Sequence, residues 1–271
     1  MTYLLALDQG TSSSRSIVFD AQGQILASAQ QEIHQHYPQP GWVEHDPLEL
    51  WATQRDTAHQ ALAMLRAQGH DLTQVRGIGI TNQRETVVAW DRATGEPLTG
   101  AIVWQDRRTE PFCAALRAGG HEAAVQQRTG LLLDPYFSGT KMRWMLDNEG
   151  TVRAAAEAGR LALGTVESWL VWKLSGGAHI TDASNASRTQ LLALDGAQFD
   201  EGLCDLLGVP RSALATVVDT QGHLTDTTLL GGSIPIAGLA GDQQATHRPG
   251  VADAQAGLAA LAGAHGAIVG G

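Results

Sequence analysis

The chain has 271 residues, 43% hydrophobic and 17% charged, a balance that fits a folded globular protein and excludes extended disorder. Its formal net charge of -10 argues against a nucleic-acid partner, which calls for a basic footprint. No apolar run reaches the ~20 residues needed to span a bilayer, and no basic amphipathic stretch suggests a membrane surface. Met1 leads straight into a strand pattern without a basic n-region or long apolar h-region, so no signal peptide and a cytoplasmic location are expected. Cys113 and Cys204 fit no CxxC or zinc spacing and read as inert thiols in a reducing compartment.

In chain order, Tyr3 to Leu7 predicts a buried strand and Ser16 to Phe19 a second one returning beside it. Between them runs Leu7-Asp8-Gln9-Gly10-Thr11-Ser12-Ser13-Ser14-Arg15. A turn of this composition can offer backbone N–H groups and hydroxyls to phosphate oxygens, with Asp8 placed to hold a hydrated Mg²⁺ beside them. The plainer account is a hairpin whose Gly and Ser residues only make the turn.

A strand from Ile25 to Ala29 follows the Gly23 turn. Asp46-Pro47 then reads as an N-cap with proline at the first helical position, opening a helix from Leu48 towards Gly69. Val75 to Ile80, Val87 to Trp90 and Ala101 to Trp104 are short apolar strands. Helical patterns span Arg108 to Arg117, Gly139 to Leu146 and Thr165 to Lys173, and another strand runs from Ile234 to Ala237. Strands alternating with helices predict an α/β fold.

Three further polar clusters sit at strand ends. Thr81-Asn82-Gln83-Arg84-Glu85-Thr86 is either a solvated turn or a polyol grip, with the Arg84 guanidinium donating and the Glu85 carboxylate accepting hydrogen bonds. Trp104-Gln105-Asp106-Arg107-Arg108 is either a helix start helped by Asp106 or an aromatic wall for the carbons of a small polyol. In Gly238-Leu239-Ala240-Gly241-Asp242-Gln243-Gln244, glycines let the chain pass tightly, so that Asp242 either caps a helix or projects into a cleft. Phosphoryl transfer to an alcohol needs a carboxylate that accepts the hydroxyl proton, and Asp242 suits that role.

Taken in order, these motifs resemble the glycerol-phosphorylating branch of the FGGY carbohydrate kinase family, from Leu4 to Gln244. The resemblance also rests on Pro40-Gly41-Trp42-Val43-Glu44-His45-Asp46-Pro47, on Asp134-Pro135-Tyr136-Phe137-Ser138-Gly139-Thr140-Lys141 and on Thr181-Asp182-Ala183-Ser184-Asn185-Ala186-Ser187-Arg188-Thr189. It implies a ribonuclease H-like domain of the actin-like ATPase type and transfer of the γ-phosphoryl group of ATP to glycerol. By position, Arg84, Glu85, Tyr136, Asp242 and Gln243 would bind glycerol, with Trp104 packed on its carbons and Asp242 as general base. Thr11, Ser12 and Ser13 would face the ATP phosphates with Arg15 nearby, and Asp8 would hold Mg²⁺ through water. Family members acting on sugars such as xylulose lack the Arg-Glu pair, so its presence favours glycerol. Full-length relatives are expected to be homo-oligomers.

The chain departs from the family pattern after Gln244. Residues 1–245 read as the N-terminal domain, and 246–271 as an atypical Ala/Gly-rich tail in place of a second domain. A frameshift near Ala245 to His247 is one account of the tail; the tail of a short paralogue, carrying a weakly amphipathic helix around Ala254 to Ala264, is the other. Three expectations follow: a glycerol kinase-like enzyme, a catalytically inactive fragment with at most weak glycerol binding, or a kinase for another polyol or sugar.

Overall fold

The computed structural model describes residues 2–246. Its strands and helices, in chain order, are β1 (Tyr3–Gln9), β2 (Ser13–Asp20), β3 (Ile25–Glu32), β4 (Glu44–His45), α1 (Pro47–Ala67), β5 (Val75–Asn82), β6 (Val87–Asp91), β7 (Ala101–Ile102), α2 (Glu110–Ala118), α3 (Glu122–Thr129) and α4 (Ser138–Asn148). They continue with α5 (Gly150–Glu157), β8 (Leu161–Thr165), α6 (Val166–Ser175), β9 (Ile180–Asp182), α7 (Ala183–Ala186), α8 (Glu201–Leu207), β10 (Thr216–Val218), β11 (Gln221–Thr227), β12 (Ile234–Gly241) and α9 (Asp242–Thr246).

A six-stranded sheet of order β11-β12-β5-β1-β2-β3 forms the centre. β1, β5 and β12 run parallel, while β2 returns antiparallel to β1 and β3 antiparallel to β2. Parallel central strands are covered on both faces and therefore read as near-continuous apolar runs. β5 fits: only Arg76 of its eight residues is exposed.

On one face lie α1 and α6. Asp46 accepts a hydrogen bond from the Leu48 backbone N at 2.8 Å, and Pro47 takes the first helical position. The helix then buries Leu50, Ala58, Ala61, Leu62 and Leu65 at helical spacing against β2 and β3. Each buried leucine is worth roughly 1.5–3 kcal/mol relative to exposure. A second core lies over a four-stranded sheet of order β4-β7-β6-β8, where Val87, Ala89, Leu161 and Leu163 meet Met142, Met145 and Leu203.

Several boundaries differ from the sequence expectation. β5 continues through Thr81 and Asn82 because these pair with Asp8 and Gln9 on one side and with Ala240 and Gly241 on the other. β12 likewise runs on to Gly241. β7 stops at Ile102, since Val103 N bonds to Val43 O and Trp104 N to Thr86 Oγ1, which takes both residues out of the ladder. The helix expected from Arg108 starts at Glu110, because Asp106 holds the Arg108 backbone N and guanidinium ahead of it. The tail from residue 247 onward, including the helix expected around Ala254 to Ala264, lies outside the described residues. Among the described residues no helix is long and apolar enough to cross a membrane.

Candidate functional site

The register of the central sheet builds the site. Gln9 of β1 pairs with Asn82 of β5, and Asn82 pairs with Gly241 of β12. Three parallel strands therefore end at one level, and the segments that follow them emerge side by side. Crevices outside the carboxyl ends of parallel strands are the usual ligand sites of open α/β sheets. Here they bring together the Asp8 turn, the Arg84–Glu85 pair and Asp242–Gln243.

Arg84 and Glu85 are buried, each with a side chain only 3% exposed. Arg84 Nη2 donates to Gln243 Oε1 at 2.5 Å, and its Nε lies 3.6 Å from Asp242 Oδ1. A Cβ added to Gly241 would meet Arg84 Cδ at 2.1 Å and Cγ at 2.7 Å, so the arginine can cross the strand end only over a glycine. Glu85 adopts a left-handed backbone at φ 62°, uncommon for a residue with a side chain. That conformation is held by Ser138 Oγ, which donates to Glu85 O at 3.1 Å.

Burial raises the Glu85 carboxyl above its ordinary value, while Arg188, Arg84 and Lys141 pull it down. Asp242 opens α9 with its side chain 49% exposed, and its carboxylate accepts from Gln243 N at 2.8 Å. Asp242 is thus the first residue of a short helix and lies beside Arg84.

On the other side, Trp104 and Tyr136 form a half-buried aromatic corner, with ring centroids 5.7 Å apart and edge-to-face. Trp104 Nε1 donates to Thr11 Oγ1 at 3.0 Å, joining this wall to the Asp8 turn. The turn is tight, with Gly10 N on Ser13 O at 2.9 Å. Ser12 is exposed, and Asp8 is half-buried opposite Arg15 in the β1–β2 register. Arg15 Nε is buried without a hydrogen-bond partner. Ser13 is turned towards β3, its hydroxyl accepting from Gln30 Nε2 at 3.0 Å. Among the described residues no group of three or more His, Cys, Asp or Glu is arranged to hold a metal ion. One carboxylate amid hydroxyls suits Mg²⁺, which keeps most of its waters and takes few protein ligands.

The structure adds residues that sequence reasoning did not place. Arg188 Nε donates to Glu85 Oε1 at 2.5 Å, and its guanidinium lies over Phe137 and Tyr136 at 4.8 and 5.4 Å from their centroids. Lys141 is fully buried, and its Nζ donates to the carbonyls of Pro135 and Tyr136 at 2.6 Å each and of Phe137 at 3.2 Å. It clasps the segment that carries the Tyr136 ring. Ser184 Oγ accepts from Gly241 N at 2.7 Å and donates to Asp182 Oδ1, which secures the end of β12 just before Asp242.

Residues 3–247 match the FGGY family of carbohydrate kinases, N-terminal domain. The chain belongs to this family. It is 60% identical over 247 residues to the glycerol kinase of Paracidovorax citrulli (strain AAC00-1), an alignment covering 90% of this chain and 48% of that protein. It is 59% identical to the glycerol kinase of Delftia acidovorans (strain DSM 14801 / SPH-1), covering 90% and 49%. The chain spans about half the length of the curated relatives it matches. The crystal structure of Plasmodium falciparum glycerol kinase with ADP superposes with a TM-score of 0.86 at 32% identity, covering 91% of this chain and 49% of that one. Xylulose kinase from Rhodospirillum rubrum superposes at 0.80 with 25% identity, covering 92% and 52%. The fold is thus the ribonuclease H-like, actin-like ATPase fold of FGGY kinase N-terminal domains.

Proposed function

We propose that this FGGY kinase chain forms the acceptor-binding half of an ATP:glycerol phosphotransferase. The observation that carries the proposal is the common level of the β1, β5 and β12 ends, which gathers Arg84, Glu85, Asp242 and Gln243, with Arg188 linking Glu85 to the Tyr136 ring of the Trp104–Tyr136 corner. Glycerol is a chain of carbons edged by hydroxyls. A guanidinium that donates, carboxylate and amide oxygens that accept, and a flat indole for the carbons complement it.

In the reaction a terminal hydroxyl gives its proton to the Asp242 carboxylate as its oxygen attacks the γ-phosphorus of ATP. A new O–P bond forms, the bond to ADP breaks, and glycerol 3-phosphate leaves. Arg84 Nε, 3.6 Å from Asp242 Oδ1, would help to orient that carboxylate towards the hydroxyl. Thr11, Ser12 and Ser13 would face the ATP phosphates, with Arg15 as the nearby cation. Asp8 would hold Mg²⁺ through water; the ion, when bound, neutralises charge on the transferring phosphoryl group.

The close identity to glycerol kinases supports the substrate, and the Arg84–Glu85 pair supports glycerol over a sugar. A second reading is a chain that binds glycerol without turnover. Phosphoryl transfer depends on positioning from both sides of the phosphate chain.

Coupled ADP-release on the purified chain, alongside glycerol binding by NMR titration, separates these readings. Turnover with glycerol that Asp242→Asn abolishes supports the kinase, and binding without turnover supports the second reading. No binding of glycerol by a folded chain sinks both. Preference for xylulose or erythritol in the same assays overturns the substrate assignment.

A further inference from the structure

Glu85 presents a problem that its own strand does not solve. Its carboxylate is buried and held on a left-handed backbone, at a place where only an ionised group acts purely as an acceptor. A buried carboxylate without a partner takes up a proton instead, and then donates as well as accepts.

Three cations face it from different elements: Arg84 from the end of β5, Lys141 from α4 and Arg188 from the loop after α7. Arg84 is engaged with Gln243 and Asp242. Lys141 is spent on the carbonyls of Pro135, Tyr136 and Phe137. Arg188 alone of the three makes a hydrogen bond to the Glu85 carboxylate. The same guanidinium stacks over the rings of Tyr136 and Phe137, and Arg188 O accepts from Ser138 N at 3.4 Å. Ser138 in turn holds the Glu85 carbonyl. One residue thus touches both the acceptor carboxylate and the aromatic corner of the pocket.

We propose that Arg188 is a positioning residue of the polyol pocket, holding the Glu85 carboxylate as a hydrogen-bond acceptor and the Tyr136 ring at its side. The proposal rests on the glycerol-pocket reading above. A planar fork stacked on aromatic rings is a geometry that arginine provides and lysine does not. The two functions therefore separate by substitution: Arg188→Lys keeps a cation near Glu85 but gives up the stack, and Arg188→Met gives up both.

The test reads Glu85 directly. Carboxyl-¹³C glutamate labelling of the full chain, with Glu85→Gln to assign the signal, gives the titration midpoint of Glu85 in each variant. Glycerol affinity is measured by NMR across the same pH range. In Arg188→Met the Glu85 midpoint should rise by at least about one pH unit, equivalent to a tenfold change in proton affinity. Glycerol affinity at neutral pH should fall about tenfold or more, and recover in part as alkaline pH ionises Glu85. In Arg188→Lys the midpoint should stay near that of the unaltered chain while affinity falls severalfold without pH recovery, since only the stack is lost.

An unmoved Glu85 signal in a folded Arg188→Met chain overturns the proposal. A moved signal with unchanged glycerol affinity also overturns it and leaves Arg188 a purely structural partner. Absence of glycerol binding by the unaltered chain overturns the pocket reading and with it the role of Arg188 towards a polyol. The Glu85 titration would still report the ion pair, so the two failures are distinguishable. A fully folded Lys variant guards against the case in which the Met variant fails to fold.

Discussion

The stability of this domain should depend on pH through one buried amine. Burial pushes Lys141 from its ordinary 10.5 down to about 7, against the pull of Glu85, Asp106 and Asp134. In the unfolded chain the amine regains its ordinary value. Between about 7 and 10.5 the unfolded state therefore holds more protons than the folded state, and stability rises with pH across that window. Below it both states are protonated and this contribution is flat. The slope approaches about 1.4 kcal/mol per pH unit, so the full window is worth roughly 5 kcal/mol.

Lys141→Met keeps most of the aliphatic length and removes the titration. It also leaves the carbonyls of Pro135, Tyr136 and Phe137 without their shared donor, a loss present at every pH. Urea unfolding of both proteins at steps from neutral to about pH 10 yields the difference in stability at each step. Cys113 and Cys204, which burial pushes up to about 11, titrate in both proteins and largely cancel. The unaltered chain should gain several kcal/mol on the variant as pH rises through the window. Parallel stability curves would refute the assignment of this titration to Lys141.

Other perturbations have equally definite outcomes. Gly241→Ala drives a methyl into the Arg84 stem and should weaken glycerol binding about tenfold or more, with a cooperative melt retained; unchanged affinity in an NMR titration contradicts this use of Arg84. Gly139→Ala forces a Cβ to within 2.6 Å of both Leu207 Cδ1 and Thr189 O, and should cost about 1–3 kcal/mol in urea unfolding; a cost below experimental error counts against the packing there. Arg108 is buried against the Trp42 and Trp144 rings and ion-paired with Asp106 and Glu44. Arg108→Leu leaves Asp106 buried without its cation and should destabilise by about 3–5 kcal/mol, with an unshifted thermal midpoint as the contrary result.

Legibility in the sequence followed the range of the interactions. The start of α1 was readable because Asp46 and Pro47 act within one turn of each other. β1, β2 and the polar clusters at strand ends were readable from short apolar runs and the motifs beside them. β8 and β9 were not, because Leu161–Thr165 passes directly into α6 and Ile180–Asp182 has only three residues. α3 buries only Val125 and Thr129, too few to print a helical period. Thr81 and Asn82 look like loop residues yet are strand, since their partners lie on β1 and β12 rather than nearby in sequence. Arg188 sits 103 positions from the carboxylate it holds. It lies in a motif that carried the family resemblance, so a basic residue there was visible, but its partner was not.

The hydrogen bond from the Trp104 indole to Thr11 has a consequence for how such a domain can diverge. It ties the indole wall and the Asp8 turn into one unit. A lineage that widened the acceptor pocket by moving the indole would also disturb the turn, so drift at positions 11 and 104 should be epistatic. The segment carrying Arg84 is tied to the same turn, since Gln83 donates from Nε2 to Gly10 O at 3.1 Å and from its backbone N to Gln9 O at 2.8 Å, so substitutions on that side are constrained too.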